Sequence, residues 1–130
     1  MEDQSTNDRI LLVDDDTMVL ELNELILTKL GYQVISNSNS LEALELFKDL
    51  PHHFSLVITD YKMPHLNGEQ LSREILKINP QIPIIICSGF TSEFSSDDAK
   101  ALGIKWFVRK PLLKKDFALL IEKALSNQDN

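Results

Sequence analysis

Residues 10–16, Ile10-Leu11-Leu12-Val13-Asp14-Asp15-Asp16, decide how the rest of the chain is read. Four branched apolar residues with no polar alternate suit a strand covered on both faces, because a half-exposed strand alternates. Three acids follow at once, where such a strand must surface. Outward from this point the same form recurs at Val34-Ile35, Leu56-Val57-Ile58-Thr59, Ile82 to Cys87 and Trp106-Phe107-Val108. Period alone does not separate a buried strand from a buried helix fragment, but the length and β-branched content of these runs favour strand.

Helical patterns fill the intervals. Met18, Leu22, Leu25 and Ile26 are expected to form the core stripe of the first, with Asp16 or Thr17 as its cap and Gly31 past its end. Ala43, Leu44 and Phe47 mark the second, capped by Ser40 and followed by Pro51. Leu71, Ile75 and Ile78 mark the third, and Phe117, Leu120, Ile121 and Ala124 the last. The fourth, from about Thr91 to Leu102, has only Phe94, Ala99, Ala101 and Leu102 to bury and is expected to be the least stable. Strands alternating with helices predict an α/β fold, a doubly wound parallel sheet with right-handed crossovers.

Composition agrees with a single domain. The chain has 130 residues, 43% apolar and 25% charged, which excludes a disordered body. Residues 9–125 are expected to form the domain, with polar tails at 1–8 and 126–130. A net charge of -7 disfavours nucleic acid as a partner. The single cysteine, Cys87, excludes a disulfide framework and a cysteine zinc cluster, and reads as a small buried strand residue. The first eight residues are too polar for a secretory signal, and the longest apolar stretch, broken by Pro83, is too short to span a bilayer. A cytoplasmic protein without a membrane partner is expected.

In open parallel sheets the site lies beyond the carboxyl ends of the strands. Strand one runs into Asp14-Asp15, strand three into Asp60, strand four into Ser88-Gly89 and strand five into Arg109-Lys110-Pro111. One rim thus receives carboxylates, a hydroxyl and an ammonium. Carboxylates held together repel, and a hard divalent cation such as Mg²⁺ relieves that repulsion with oxygen ligands. A carboxylate beside such a metal can attack phosphorus and form an acyl phosphate, while metal and ammonium neutralise the transferring phosphoryl.

On these residues, with Met63-Pro64 and Gly68 shaping the loop after Asp60, the chain resembles a response-regulator receiver domain, the phosphoacceptor of two-component signalling, over roughly residues 8–125. The resemblance implies a flavodoxin-like (βα)5 fold with strand order 2-1-3-4-5, the order of a chemotaxis member of that family. It implies Asp60 as phosphoacceptor, and Asp15, Asp60 and the Lys62 backbone carbonyl as direct Mg²⁺ ligands, with Asp14 acting through water. Ser88 would donate to the phosphoryl group, Lys110 would pair with it, and Phe107 would be the switch aromatic. The Lys110-Pro111 bond is often cis in this family. Asp16, a third consecutive acid, is read as a cap. Lys62 and Phe90 bear on how readily water reaches the phosphoryl group. Phe107 lacks a hydroxyl, so any switch works by packing. Leu20 and Leu27, at the edge of the first helix's stripe, are expected to help dock a phosphodonor helix.

Other residues carry plainer expectations. His52 and His53 read as solvated, and the neighbours of His65 do not make it a base. Lys105, Arg109, Lys114 and Lys115 read as a solvated face. The expected function is signal relay: a sensor histidine kinase or histidine phosphotransfer protein donates to Asp60, and the surface of helix four, strand five and helix five changes. The domain would promote only its own phosphorylation and dephosphorylation, so it is not expected to be an enzyme with a separate substrate. No effector domain fits in the chain. Ser88-Gly89-Phe90 and the polar tails resemble receivers joined to hybrid kinases, so a longer parent with a linked kinase or effector domain is one expectation and a stand-alone receiver the other. The alternatives are a degenerate receiver acting as an interaction module, and an aspartyl-nucleophile Mg²⁺ phosphatase, which would want an acid where Lys62 stands.

Overall fold

The computed structural model describes residues 8–89, 94–110 and 114–126. Within them β1 (Arg9–Val13), α1 (Thr17–Lys29), β2 (Gln33–Asn37), α2 (Ser40–Asp49), β3 (Leu56–Asp60), α3 (Gly68–Ile78), β4 (Ile84–Ser88), α4 (Ser96–Ala101), β5 (Trp106–Arg109) and α5 (Lys114–Ser126) follow in order. The strands form one parallel sheet in the order β2-β1-β3-β4-β5. This is the flavodoxin-like doubly wound arrangement that the apolar runs and the family resemblance led us to expect.

The continuous apolar character of the strands follows from their two covered faces. Leu11, Val13, Val57, Ile84 and Ile86 pack with Ala43, Phe47, Leu71, Ile75 and Ala99 from α2, α3 and α4. Ile10, Leu12, Leu56, Ile58, Ile85 and Cys87 pack on the other side with Leu20, Leu27, Phe117, Ile121 and Ala124 from α1 and α5. Edge strand β2 is only half-buried. Among the described residues no helix is long and apolar enough to cross a membrane.

The first helix sits the other way round from the expected orientation. Met18, Leu22 and Leu25 are 79%, 57% and 52% exposed, whereas Leu20 and Leu27 are buried in the core. Apolar residues lie on both sides of α1, so periodicity does not select a face; packing against β1, β3 and α5 does. Leu20 and Leu27 therefore cannot be a docking surface. The cap of α1 is Asp16, whose side chain accepts from the Met18 and Val19 amides, and Gly31 after its end takes φ +102°.

The cap of α2 is Asn39, not Ser40. Asn39 has extended backbone and accepts from the Leu41 and Glu42 amides, while Ser40 lies inside the first turn with its hydroxyl engaged elsewhere. The fourth helix starts at Ser96, capped by Ser95 in a reciprocal pair with Asp98. Phe94 precedes it and is buried in the core, and Ala101 is exposed. Thr91, Phe90 and the Lys110-Pro111 bond fall on or beside positions outside the described residues.

Candidate functional site

The register of the sheet brings the functional side chains to one edge. Val13 pairs with Thr59, Asp60 with Cys87, and Ser88 with Arg109. Parallel strands in this register end together, so Asp14, Asp60, Ser88 and Lys110 emerge side by side at their carboxyl ends. One oxygen from each of Asp14, Asp15 and Asp60 lies within 4.8 Å of the others. Lys110 Nζ stands 2.6 Å from Asp60 Oδ1 and 3.5 Å from Asp14 Oδ2. The backbone sets that lysine in place, because its amide donates to the Ser88 carbonyl at 2.8 Å.

Burial governs the electrostatics. Asp14 is buried, and burial pushes its carboxyl above the ordinary range; the charge of Asp60 adds to that push, while the Asp16 amide and Lys110 oppose it. Asp60 is raised for the same first reason, burial, with the Lys110 hydrogen bond and charge pulling down and Asp15 pushing up. Lys110 is itself raised: burial works against its charge, but the hydrogen bond and charge of Asp60, and then Asp14, outweigh it. Asp15 is exposed.

One ammonium against three carboxylates leaves negative charge uncompensated, and every donor in the cluster is a hard oxygen. That donor set fits a hard divalent cation such as Mg²⁺. Ser88 is fully buried, and its hydroxyl has no hydrogen-bond partner among the described residues. A buried hydroxyl in that position is costly unless something supplies an acceptor.

The loop after Asp60 is closed at its base. The Tyr61 amide donates to the Cys87 carbonyl at 2.8 Å, and the Gly68 amide to the Tyr61 carbonyl at 2.6 Å. Glycine is required at 68, because a Cβ there would stand 2.6 Å from the Asp60 carbonyl oxygen and 2.9 Å from Tyr61 Cα. Asn67 and Gln70 cap α3 reciprocally. Lys62 is exposed on this loop, and so is His65.

Tyr61 was not singled out from sequence, nor were the contacts that link it to Phe94, Phe107 and Arg109. The rings of Tyr61 and Phe94 stack with centroids 4.4 Å apart, and Phe94 meets Phe107 at 5.8 Å. Arg109 lies over the Phe107 ring at 5.2 Å and donates to the Gly89 carbonyl at 3.1 Å. An aromatic line therefore joins the residue after Asp60 to β5. An aromatic directly following the acidic strand end was its only signal. His53 lies away from this rim, beside Arg9 at the start of β1.

Comparison with known proteins agrees with this geometry. The family model described as response regulator receiver domain matches residues 10–122. The chemotaxis protein CheY of Thermotoga maritima is 36% identical over 104 residues, covering 79% of this chain and 85% of that protein. The sensor kinase CckA of Brucella abortus is 31% identical over 127 residues, which is 98% of this chain but only 13% of the kinase. A receiver domain crystal structure from Clostridium thermocellum superposes with a TM-score of 0.88 at 32% identity, covering 94% of this chain and 97% of that one. With its sheet order, its acidic rim and nearly its whole length accounted for in this way, the chain belongs to the response regulator receiver domain family.

Proposed function

We propose that the domain accepts a phosphoryl group from a phosphohistidine onto Asp60 and thereby relays a two-component signal. The observation that supports this best is the placement of Lys110, 2.6 Å from Asp60 and 3.5 Å from Asp14, over a trio of converging carboxylates. Asp15, Asp60 and the Lys62 carbonyl would hold Mg²⁺ directly, and Asp14 through water. Bound there, Mg²⁺ supplies positive charge to the oxygens of the transferring phosphoryl.

The ionised Asp60 oxygen forms the new phosphorus–oxygen bond as the donor's phosphorus–nitrogen bond breaks, and the leaving imidazole keeps that electron pair. Lys110 then pairs with a phosphoryl oxygen in place of the lost carboxylate charge, and the Ser88 hydroxyl donates to another. Phe107 and Phe94 shift by packing, which changes the α4-β5-α5 surface. The domain, expected from sequence over residues 9–125 and reaching Ser126 at the end of α5, acts as a cytoplasmic signalling module and not as an enzyme on a separate substrate.

The donor is a sensor histidine kinase or a histidine phosphotransfer protein, free or joined to this domain in a longer parent. Its helix docks on the exposed Met18, Leu22 and Leu25 face of α1, which begins directly after Asp15 and Asp16. A chain incubated with Mg²⁺ and acetyl phosphate, then examined by mass spectrometry, should carry one hydroxylamine-labile phosphoryl on Asp60. A chain that stays unmodified with acetyl phosphate and with a histidine donor alike is an inert interaction module. Steady turnover of a generic phosphoester would make it a phosphatase instead.

A further inference from the structure

Ser40 is 2% exposed and is the first residue of α2 without being its cap. Its hydroxyl donates to the Pro64 carbonyl at 3.0 Å and accepts from the Leu66 amide at 3.0 Å. A single side chain on α2 therefore fastens two points of the loop between β3 and α3. Between those two points stands His65, a non-glycine residue with φ +70°. That left-handed turn is disfavoured for a residue with a Cβ, and it is what brings the Pro64 carbonyl and the Leu66 amide to the same hydroxyl.

The base of the loop is secured separately, through Tyr61, Gly68 and the Asn67–Gln70 cap. Lys62 lies between the fastened base and the fastened tip. Without Ser40 the residues from Lys62 to Leu66 would have their ends tied and the rest held by burial of Met63 and packing of Leu66, with no hydrogen bond fixing the turn between Pro64 and Leu66. A buried serine that only filled space would look like Ser72 on α3, which is fully buried with its hydroxyl unpartnered among the described residues.

We propose that Ser40 is a positioning residue for metal binding: by pinning Pro64 and Leu66 it keeps the Lys62 carbonyl presented to the carboxylate trio. This rests on the reading of the cup as a Mg²⁺ site given above. Residues that orient a ligand without touching the metal commonly change affinity by tenfold or more when removed.

The test uses the full chain as wild type, Ser40→Ala and Ser72→Ala, with Mg²⁺ titrated by calorimetry, and Leu66 amide exchange measured by NMR without metal. Ser40→Ala should weaken Mg²⁺ binding about tenfold and speed Leu66 exchange about tenfold, while Ser72→Ala changes neither. Urea unfolding confirms that both variants fold, and Ser40→Gly, which also lacks the hydroxyl and adds no bulk, carries the comparison should Ser40→Ala not fold. Wild-type affinity and wild-type Leu66 exchange in Ser40→Ala would overturn the proposal while leaving the metal site standing. Equal losses in Ser40→Ala and Ser72→Ala would overturn it too, as general loosening. A wild type that takes up no Mg²⁺ would overturn the site and this role together.

Discussion

At the scale of single residues, burial opposes the charge of both Asp14 and Asp60, and each carboxyl holds its proton more tightly in the fold than in the unfolded chain. The native state therefore binds more protons in the window above the ordinary value of 3.8, and metal-free stability from these groups falls as pH rises through it. Asp14→Asn keeps an oxygen to accept from the Asp16 amide but removes the charge. It should stabilise the metal-free protein by about 1 kcal/mol at neutral pH and abolish tight Mg²⁺ binding. Urea midpoints should show the gap between variant and wild type closing toward pH 4; a gap that widens on acidification would contradict the argument. Lys110 follows the same direction in a higher window: with its value raised above 10.5, its contribution is complete below that pH and lost as pH rises above it. Cys87, fully enclosed in β4, has its thiol pushed up to about 12 by burial. At pH 8 it should hold on the order of a thousandfold less thiolate than a free cysteine. Its reaction with a disulfide reagent should then track unfolding in urea; rapid native-state labelling would refute this.

At the scale of elements, α1 divides its apolar residues between two tasks. Leu27 is fully buried against the sheet, so Leu27→Ala should cost about 3 kcal/mol in urea unfolding. Leu22 is 57% exposed, so Leu22→Ser should change stability by no more than about 0.5 kcal/mol while weakening phosphotransfer from a histidine donor. Acetyl phosphate loading, which needs no docking, should be unaffected by Leu22→Ser. A large stability loss at Leu22 would mean that α1 is rotated from the orientation described. The short α4 has six residues, too few for a stable isolated helix, and depends on its Ser95–Asp98 cap and on burial of Ala99. Its amides should exchange before those of α3, which has eleven residues and four buried ones, and hydrogen exchange by NMR measures this directly. On the proposed phosphorylation of Asp60, this element of low local stability beside Phe94 and Phe107 is the part of the fold expected to move.

At the scale of the whole molecule, the acidic cup proposed to hold Mg²⁺ exists only when the sheet is folded, because its carboxylates come from the ends of β1 and β3 and its lysine from the end of β5. Mg²⁺ at a hundredfold excess over its dissociation constant should add about 2.7 kcal/mol and raise the melting temperature by about 10 °C. Sodium chloride of equal ionic strength should give little of this shift, and an equal shift would argue for general screening in place of a site. How much of this was legible in the residues alone differs by feature. The alternation of elements was readable, because strands covered on both faces must be apolar at every position, and Ile10–Val13, Leu56–Thr59 and Ile84–Cys87 are buried throughout. The meeting of Asp14, Asp15, Asp60, Ser88 and Lys110 was readable too, because parallel strands all deliver their carboxyl ends to one rim. The rotation of α1 was not, since apolar residues on both of its sides satisfy a helical period equally well. Nor was the hold of Ser40 on Pro64 and Leu66, which spans 24 and 26 residues and leaves no local pattern. Local sterics and apolar periodicity thus determined which elements form and in what order. Only the packing of distant surfaces decided which helix face is buried, which hydroxyl holds the acceptor loop, and how one lysine comes to lie between two aspartates.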